Sequence, residues 1–289
     1  MESLNKMNCT AVIARLTFQE AARRKILLAA LALGVIFLIT YAIGFHYLHN
    51  DIQSMRVRVN PVAINESTNL LLLAGLYVVN FLTIMMTVLT SVDTLSGEIN
   101  SGTIHTVVSK PIRRWEVVAG KWLGFAGMLT LYLLLMAGGV MLIIYLIGNY
   151  VAPHPIRGLA LLWLNAMLVL TISILGGSYL STLANGVLVF GLYGISFIGG
   201  WIEQIGYFLQ SQSASQTASN IGVITSLVFP TESIWRRTAY EIQSPLLGAL
   251  GFSPFTSPSV PSLVMIAYAG LYLVIAFFLA IRQFSRRDL

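Results

Sequence analysis

Five stretches of this 289-residue chain, residues 26–50, 67–92, 122–156, 158–202 and 242–281, contain no Asp, Glu, Lys or Arg. A helix rises about 1.5 Å per residue and the hydrocarbon core of a bilayer is about 30 Å thick, so about 20 apolar residues cross it. The first two windows each hold one span. The third holds one span and then the turn sequence at 149–155, Asn-Tyr-Val-Ala-Pro-His-Pro. The fourth is too long for one span and fits two, broken near the Ser-Thr-Leu-Ala-Asn-Gly stretch at 181–186. The fifth contributes one, from about Ser262 to Ile281, behind a Pro- and Ser-rich lead-in. The expected fold class is an all-α integral membrane protein of six transmembrane helices, both termini on the same side. Composition supports it: only 10% of residues are charged, against about 25% in soluble domains.

Lys and Arg in short loops favour the cytoplasmic side. With the N-terminus inside, that face holds Lys6, Arg15, Arg23, Arg24, Lys25, Lys110, Arg113, Arg114, Lys121, Arg282, Arg286 and Arg287, most of the 17 basic residues. The acids divide almost evenly, so the whole net charge of +6 falls on one face. The basic balance therefore reports topology and does not require a nucleic-acid partner. The expected location is the cell inner or plasma membrane, multi-pass, with both termini cytoplasmic.

Residues 1–25 are too long and too mixed for a cleaved signal peptide and are expected to stay as an anchor. Apolar residues from Ala11 to Ala22 interleave with Arg15, Glu20, Arg23, Arg24 and Lys25, the pattern of an amphipathic helix lying in the membrane interface. The single cysteine, Cys9, excludes an intrachain disulfide and a paired-cysteine metal site. His46 and His49 lie close together without a nearby third ligand, and no metal is expected.

Catalytic signatures are absent. Gly120-Lys121 resembles the end of a phosphate loop, but Trp115 and Trp122 stand where that loop needs Gly and Ser or Thr. Nor does an ionisable chain cross the membrane, because the charge-free windows leave no proton relay or voltage sensor at mid-depth. Glu203 reads as a residue at the outer end of the fifth span. Any energy used must then come from a partner.

The connection at 93–121 carries its acids early (Asp93, Glu98) and its bases late (Lys110, Arg113, Arg114, Lys121). Leu95, Ile99, Ile104, Val107 and Val108 fall at near-helical spacing, with Gly97, Ser101, Gly102 and Thr103 on other faces. This predicts a short helix with a small-residue face, ended at Lys110-Pro111 because proline disfavours helix in the residue before it. A second helix then begins near Arg113 and runs into the third span. Gly120 and Gly124 form a G-x-x-x-G at the membrane boundary, a weak signal for a dimer face.

The order Gly97-Glu98, Ser101-Gly102-Thr103, Ser109-Lys110-Pro111, Arg113, Glu116 and Gly120-Lys121 resembles the signature of ABC-2 type transporter permeases, particularly the six-helix NosY-like branch. The N-terminal Thr17-Phe18-x-Glu20-Ala21-x-Arg23-Arg24-Lys25 element and the six-span layout match too, so the resemblance covers residues 1–289 as a single transmembrane domain. It implies a permease, mostly found as an exporter in that family, that homodimerises and docks two copies of a separate ABC ATP-binding subunit. ATP and Mg would sit on that subunit, with no cofactor on this chain. By position the resemblance places Glu98, Ser101, Gly102, Thr103 and His105 of a coupling helix against the ATPase, and Lys110, Pro111 and Arg113 at the turn into the third span. The alternative of another class is a membrane scaffold or assembly protein without a translocation pathway.

The segment at 207–261 is long for a connection and is the least family-typical. Ile221 to Phe229 is apolar enough to lie on or dip into the outer leaflet. Pro230-Thr231-Glu232 starts a predicted helix to Ile242, and Trp235 with Arg236 and Arg237 suits an interfacial position. A gate at the exit or a surface for an extracytoplasmic partner are the readings it permits.

Overall fold

The computed structural model describes residues 9–54, 61–100, 113–207, 212–246, 255 and 259–286. They form ten helices: α1 (Cys9–Arg23), α2 (Lys25–Ser54), α3 (Pro61–Ser91), α4 (Asp93–Asn100), α5 (Arg114–Gly148), α6 (Pro155–Tyr179), α7 (Thr182–Tyr207), α8 (Gln212–Val228), α9 (Thr231–Ile242) and α10 (Leu263–Arg286). No strand occurs among the described residues. Six helices, α2, α3, α5, α6, α7 and α10, are long and apolar enough to cross a membrane, and the protein is an all-α integral membrane protein. α3 and α6 form its centre: 61% and 67% of their most apolar windows are buried, against 11% for α2 and 17% for α10 at the periphery. The face that carries α1, α4 and the start of α5 is called the basic face below, and the opposite one the far face.

The helix ends follow local chemistry. α5 stops at Asn149, whose left-handed backbone (φ 48°) donates its N–H to the Tyr145 carbonyl. Asparagine tolerates that conformation better than most residues. α6 opens on Pro155, whose missing N–H costs nothing in a first turn. The long fourth window breaks at Leu180–Ser181, and the Ser181 carbonyl accepts the N–H of Asn185 as α7 begins.

The glycines of the 120–124 pair seat α1. A Cβ at Gly124 would stand 2.7 Å from the Ala14 carbonyl oxygen and 2.8 Å from Thr17 Cβ, and one at Gly120 would stand 2.7 Å from Ile13 Cβ. The pattern that reads as a weak dimer signal is therefore filled by the chain's own N-terminal helix.

The segment after α7 does not stay at the surface. α8 folds back antiparallel along α7: Ala218 meets Gly206, Gly222 meets Glu203, and Thr225 meets Gly199. The tip of this hairpin, Phe229 to Thr231, is bonded to Ser196, eleven residues below the end of α7, or about 16 Å at 1.5 Å per residue. α9 then climbs back along α6, with Ile242 against Gly158. Non-helical backbone at such depth needs its polar groups satisfied inside the protein. Ser196 Oγ does this: it donates to the Phe229 carbonyl (2.7 Å) and accepts from the Thr231 hydroxyl (3.0 Å) and the Glu232 N–H (3.2 Å). The helix expected to start at 230–231 is present, and Ile221 to Phe229, expected to lie on or dip into the outer leaflet, form the end of the folded-back α8 and its tip. Trp235 and Arg236, read as interfacial, are instead 2% and 6% exposed, because α9 packs between α3, α6 and α7.

Candidate functional site

On the basic face, α4 leaves α3 after one residue and is gripped from three sides. Asn185 of α7 donates its Nδ2 to the carbonyls of Val92 (3.1 Å) and Ser173 (2.9 Å), fixing the α3–α4 joint against α6 and α7 together. The Thr182 hydroxyl, at the first residue of α7, donates to Asp93 Oδ1 (3.1 Å) and shares a 2.9 Å hydrogen bond with Ser96 Oγ. Leu95 is fully packed in the main core. Asp93 suits its place in the first turn, where the helix dipole favours a carboxylate.

The third grip is ionic. Lys121, on the second turn of α5, is buried, and its Nζ is bonded to Glu98 Oε1 and to the Thr94 carbonyl (3.3 Å). The ammonium head thus ties both turns of α4 to the third span. Arg113 precedes α5 with its side chain exposed, and its backbone N–H is accepted by Glu116 Oε2 at 3.0 Å, half of a capping box. Arg114 reaches across to the Ser285 carbonyl (3.1 Å), joining the start of α5 to the end of α10.

Of the residues that the sequence singles out for coupling, Glu98 and Arg113 flank this joint, Glu98 turned toward Lys121. Ser101, Gly102, Thr103, His105, Lys110 and Pro111 lie outside the described residues. Lys121 and Asn185 are essential members that the sequence reading passes over as site residues. An acid followed by a lysine just inside an apolar span, where a lone charge is costly, is the signal that points to the pair.

A second polar cluster lies in the far half, where α7, α8, α9 and the lead-in to α10 meet. Arg236 Nη1 pairs with Glu203 Oε2 at 2.6 Å, Nη2 donates to the Gly200 carbonyl at 3.1 Å, and Nε lies 3.9 Å from Glu232 Oε1. Ser259 Oγ donates to Glu203 Oε1 at 2.6 Å. The glycines clear the space: a Cβ at Gly200 would strike the Glu232 side chain and one at Gly222 that of Glu203. Burial raises the Glu232 carboxyl from 4.5 to about 7, with Arg236 opposing the rise and Glu203 adding to it. Sequence reading places Glu203 near the interface and does not join it to Arg236, 33 residues later. Among the described residues no group of three or more His, Cys, Asp or Glu side chains could hold a metal ion.

The family model described as ABC-2 family transporter protein matches residues 11–289. No curated protein matches the chain. The match spans all the described elements from the first turn of α1 onward, and the chain belongs to the ABC-2 transporter family. It is a transmembrane subunit of an ABC transporter, a multi-pass protein whose family works with an ABC ATP-binding subunit.

Proposed function

We propose that this ABC-2 family member is a permease of the NosY-like branch, active as a homodimer, that exports its substrate using ATP hydrolysed by a separate ATP-binding subunit. In this reading the basic face is cytoplasmic, in an inner or plasma membrane. Two ATP-binding subunits, holding ATP and Mg, dock beneath it, one on the coupling segment of each copy. The observation that carries the reading is the grip on α4 by Lys121, Thr182 and Asn185. A surface helix held this firmly to three spans passes force into the membrane; a loosely tethered loop would absorb it. The far hairpin of α8 and α9 then lies on the exit side.

Glu98 is a poor place to test docking, because Glu98→Arg would set a second cation against Lys121 and break the joint whatever binds below. The test belongs at Gly102 and His105. Single cysteines there, in a chain lacking Cys9, are expected to crosslink to the ATP-binding subunit in the purified complex, and the permease alone is expected to hydrolyse no ATP. A complex that purifies intact while neither position crosslinks overturns the coupling assignment.

A further inference from the structure

The far cluster holds two carboxylates and one guanidinium. Side-chain exposures are 9% for Glu203, 13% for Glu232 and 5% for Arg236. With both acids ionised, the site carries one uncompensated negative charge at a depth where desolvation of a charge costs several kcal/mol. Among the described residues the other cations of this half are engaged elsewhere. Arg237 of α9 is bound to Glu241 at 2.7 Å, and Arg157 of α6 also lies on Glu241, at 3.5 Å. α8 contributes no charged residue, and the charges of α10, Arg282 and Arg286, lie at its opposite end. From α3 and α7 the groups that face Glu232 are the hydroxyls of Tyr77 and Tyr193. Among the described residues no side chain supplies the balancing charge, and a proton would.

A route for a proton is present. A cavity of about 240 Å³ opens between α8 and α10, with Glu203 and Arg236 in its wall beside Ser219, Ser226, Ser233 and Ser259. Water occupies about 30 Å³ in the liquid and needs two to four polar partners when buried. Four hydroxyls, a carboxylate and a guanidinium supply them, so the cavity suits a small chain of waters reaching the Glu203 carboxylate.

We propose that the Glu203–Arg236–Glu232 cluster is a proton-binding site, filled through this cavity, and that the bound proton fastens the α8–α9 hairpin to α7. The proton enters at Glu203, which lines the cavity, and rests on Glu232, which lies farther from Arg236 (3.9 Å against 2.6 Å). Protonated, the cluster is neutral: Glu203 and Arg236 form a paired salt bridge and Glu232 is a neutral acid. Deprotonated, it holds two carboxylates against one cation at the meeting point of three helices, and the hairpin is held less tightly. The inference stands apart from the docking of any ATP-binding subunit, since it concerns the far face of the chain by itself.

The experiment uses the purified full-length chain in lipid nanodiscs. Infrared difference spectra across a pH titration are expected to show a protonated-carboxyl band lost with a midpoint near 7, and Glu232→Gln is expected to abolish it. The thermal midpoint of the parent is expected to fall as pH rises from 4.5 toward 7, the window in which only the unfolded chain has released the proton. Glu232→Gln is expected to remove that fall and hold the low-pH value throughout. Ser226→Leu, which narrows the cavity, is expected to slow hydrogen–deuterium exchange of the band. A parent spectrum without the band, a band that survives Glu232→Gln, or a pH-independent midpoint overturns the site. Unchanged exchange in Ser226→Leu overturns the route. Should Glu232→Gln not fold, the parent's titration decides alone.

Discussion

Glu98→Gln and Lys121→Met remove opposite ends of one ion pair, and their expected costs are unequal. The Lys121 side chain is 8% exposed and Glu98 26%. Losing the carboxylate leaves a buried ammonium with the Thr94 carbonyl at 3.3 Å as its remaining strong acceptor in the joint. Breaking a buried pair from one side costs about 3–5 kcal/mol when the orphaned charge stays dry, so Glu98→Gln is expected at the low end, about 3 kcal/mol. Losing the ammonium leaves a carboxylate whose Oε2 is buried, but on a side chain 26% exposed against 8% for Lys121, so a small side-chain movement rehydrates it. Its expected cost is nearer 1 kcal/mol, the scale of an exposed pair. The double variant leaves no charge buried and is expected to be less destabilised than Glu98→Gln alone, a coupling of about 1–3 kcal/mol in a double-mutant cycle. The assay is reversible unfolding of the purified chain followed by tryptophan fluorescence. Trp122 sits next to Lys121 and donates to Thr171 Oγ1 at 2.9 Å, so the probe lies beside the joint. Equal single costs, or costs that simply add in the double variant, would refute a buried, coupled pair.

Two further expectations follow from packing and charge. Gly124→Val puts a side chain where the Ala14 carbonyl cannot retreat, so α1 leaves its seat and the half-buried Cys9 reacts severalfold faster with a thiol reagent. Gly138→Val, whose Cβ would meet nothing within 4 Å, leaves the rate unchanged, and equal rates in both variants refute the seat. For topology, cysteines at Ser109 and Ser213 in a Cys9-free chain are expected to label from opposite sides of the membrane, Ser109 from the cytoplasm; labelling of both from one side refutes the six-span arrangement.

The spans were legible because a bilayer imposes a constraint that each window meets by itself: twenty residues without charge are a local property. The breaks were legible for the same reason, since Pro155 and Ser181 act on their own neighbours. What stayed hidden depends on pairs distant in sequence. Gly120 and Gly124 announce that something packs closely, but not that it is α1, a hundred residues earlier. Only the end of α8, from Ile221, reads as apolar enough to enter the leaflet, yet its Ser-, Gln- and Thr-rich first half also lies beside α7, which its lack of charge permits. The small residues Gly199, Gly206, Ala218 and Gly222, which let the two helices touch, are common enough in spans to pass unremarked.

The misplacement of Arg236 has a physical cause. An arginine beside a tryptophan usually sits at the interface, because the alternative is to bury a charge that needs a partner. Here the partner, Glu203, waits on the preceding span, and neither residue is interpretable without the other. The same reasoning applies at the basic face, where Glu98 looks like a residue offered to a partner until Lys121 is seen to claim it. In both places an acid and a base that seem to mark the ends of spans pair across helices. α7 carries residues of both arrangements, Thr182 and Asn185 at one end and Ser196, Gly200 and Glu203 toward the other. An amphipathicity profile, which scores each helix alone, cannot reveal such pairs. Matching every acid at the end of a span to every base predicted to lie at the same depth proposes both.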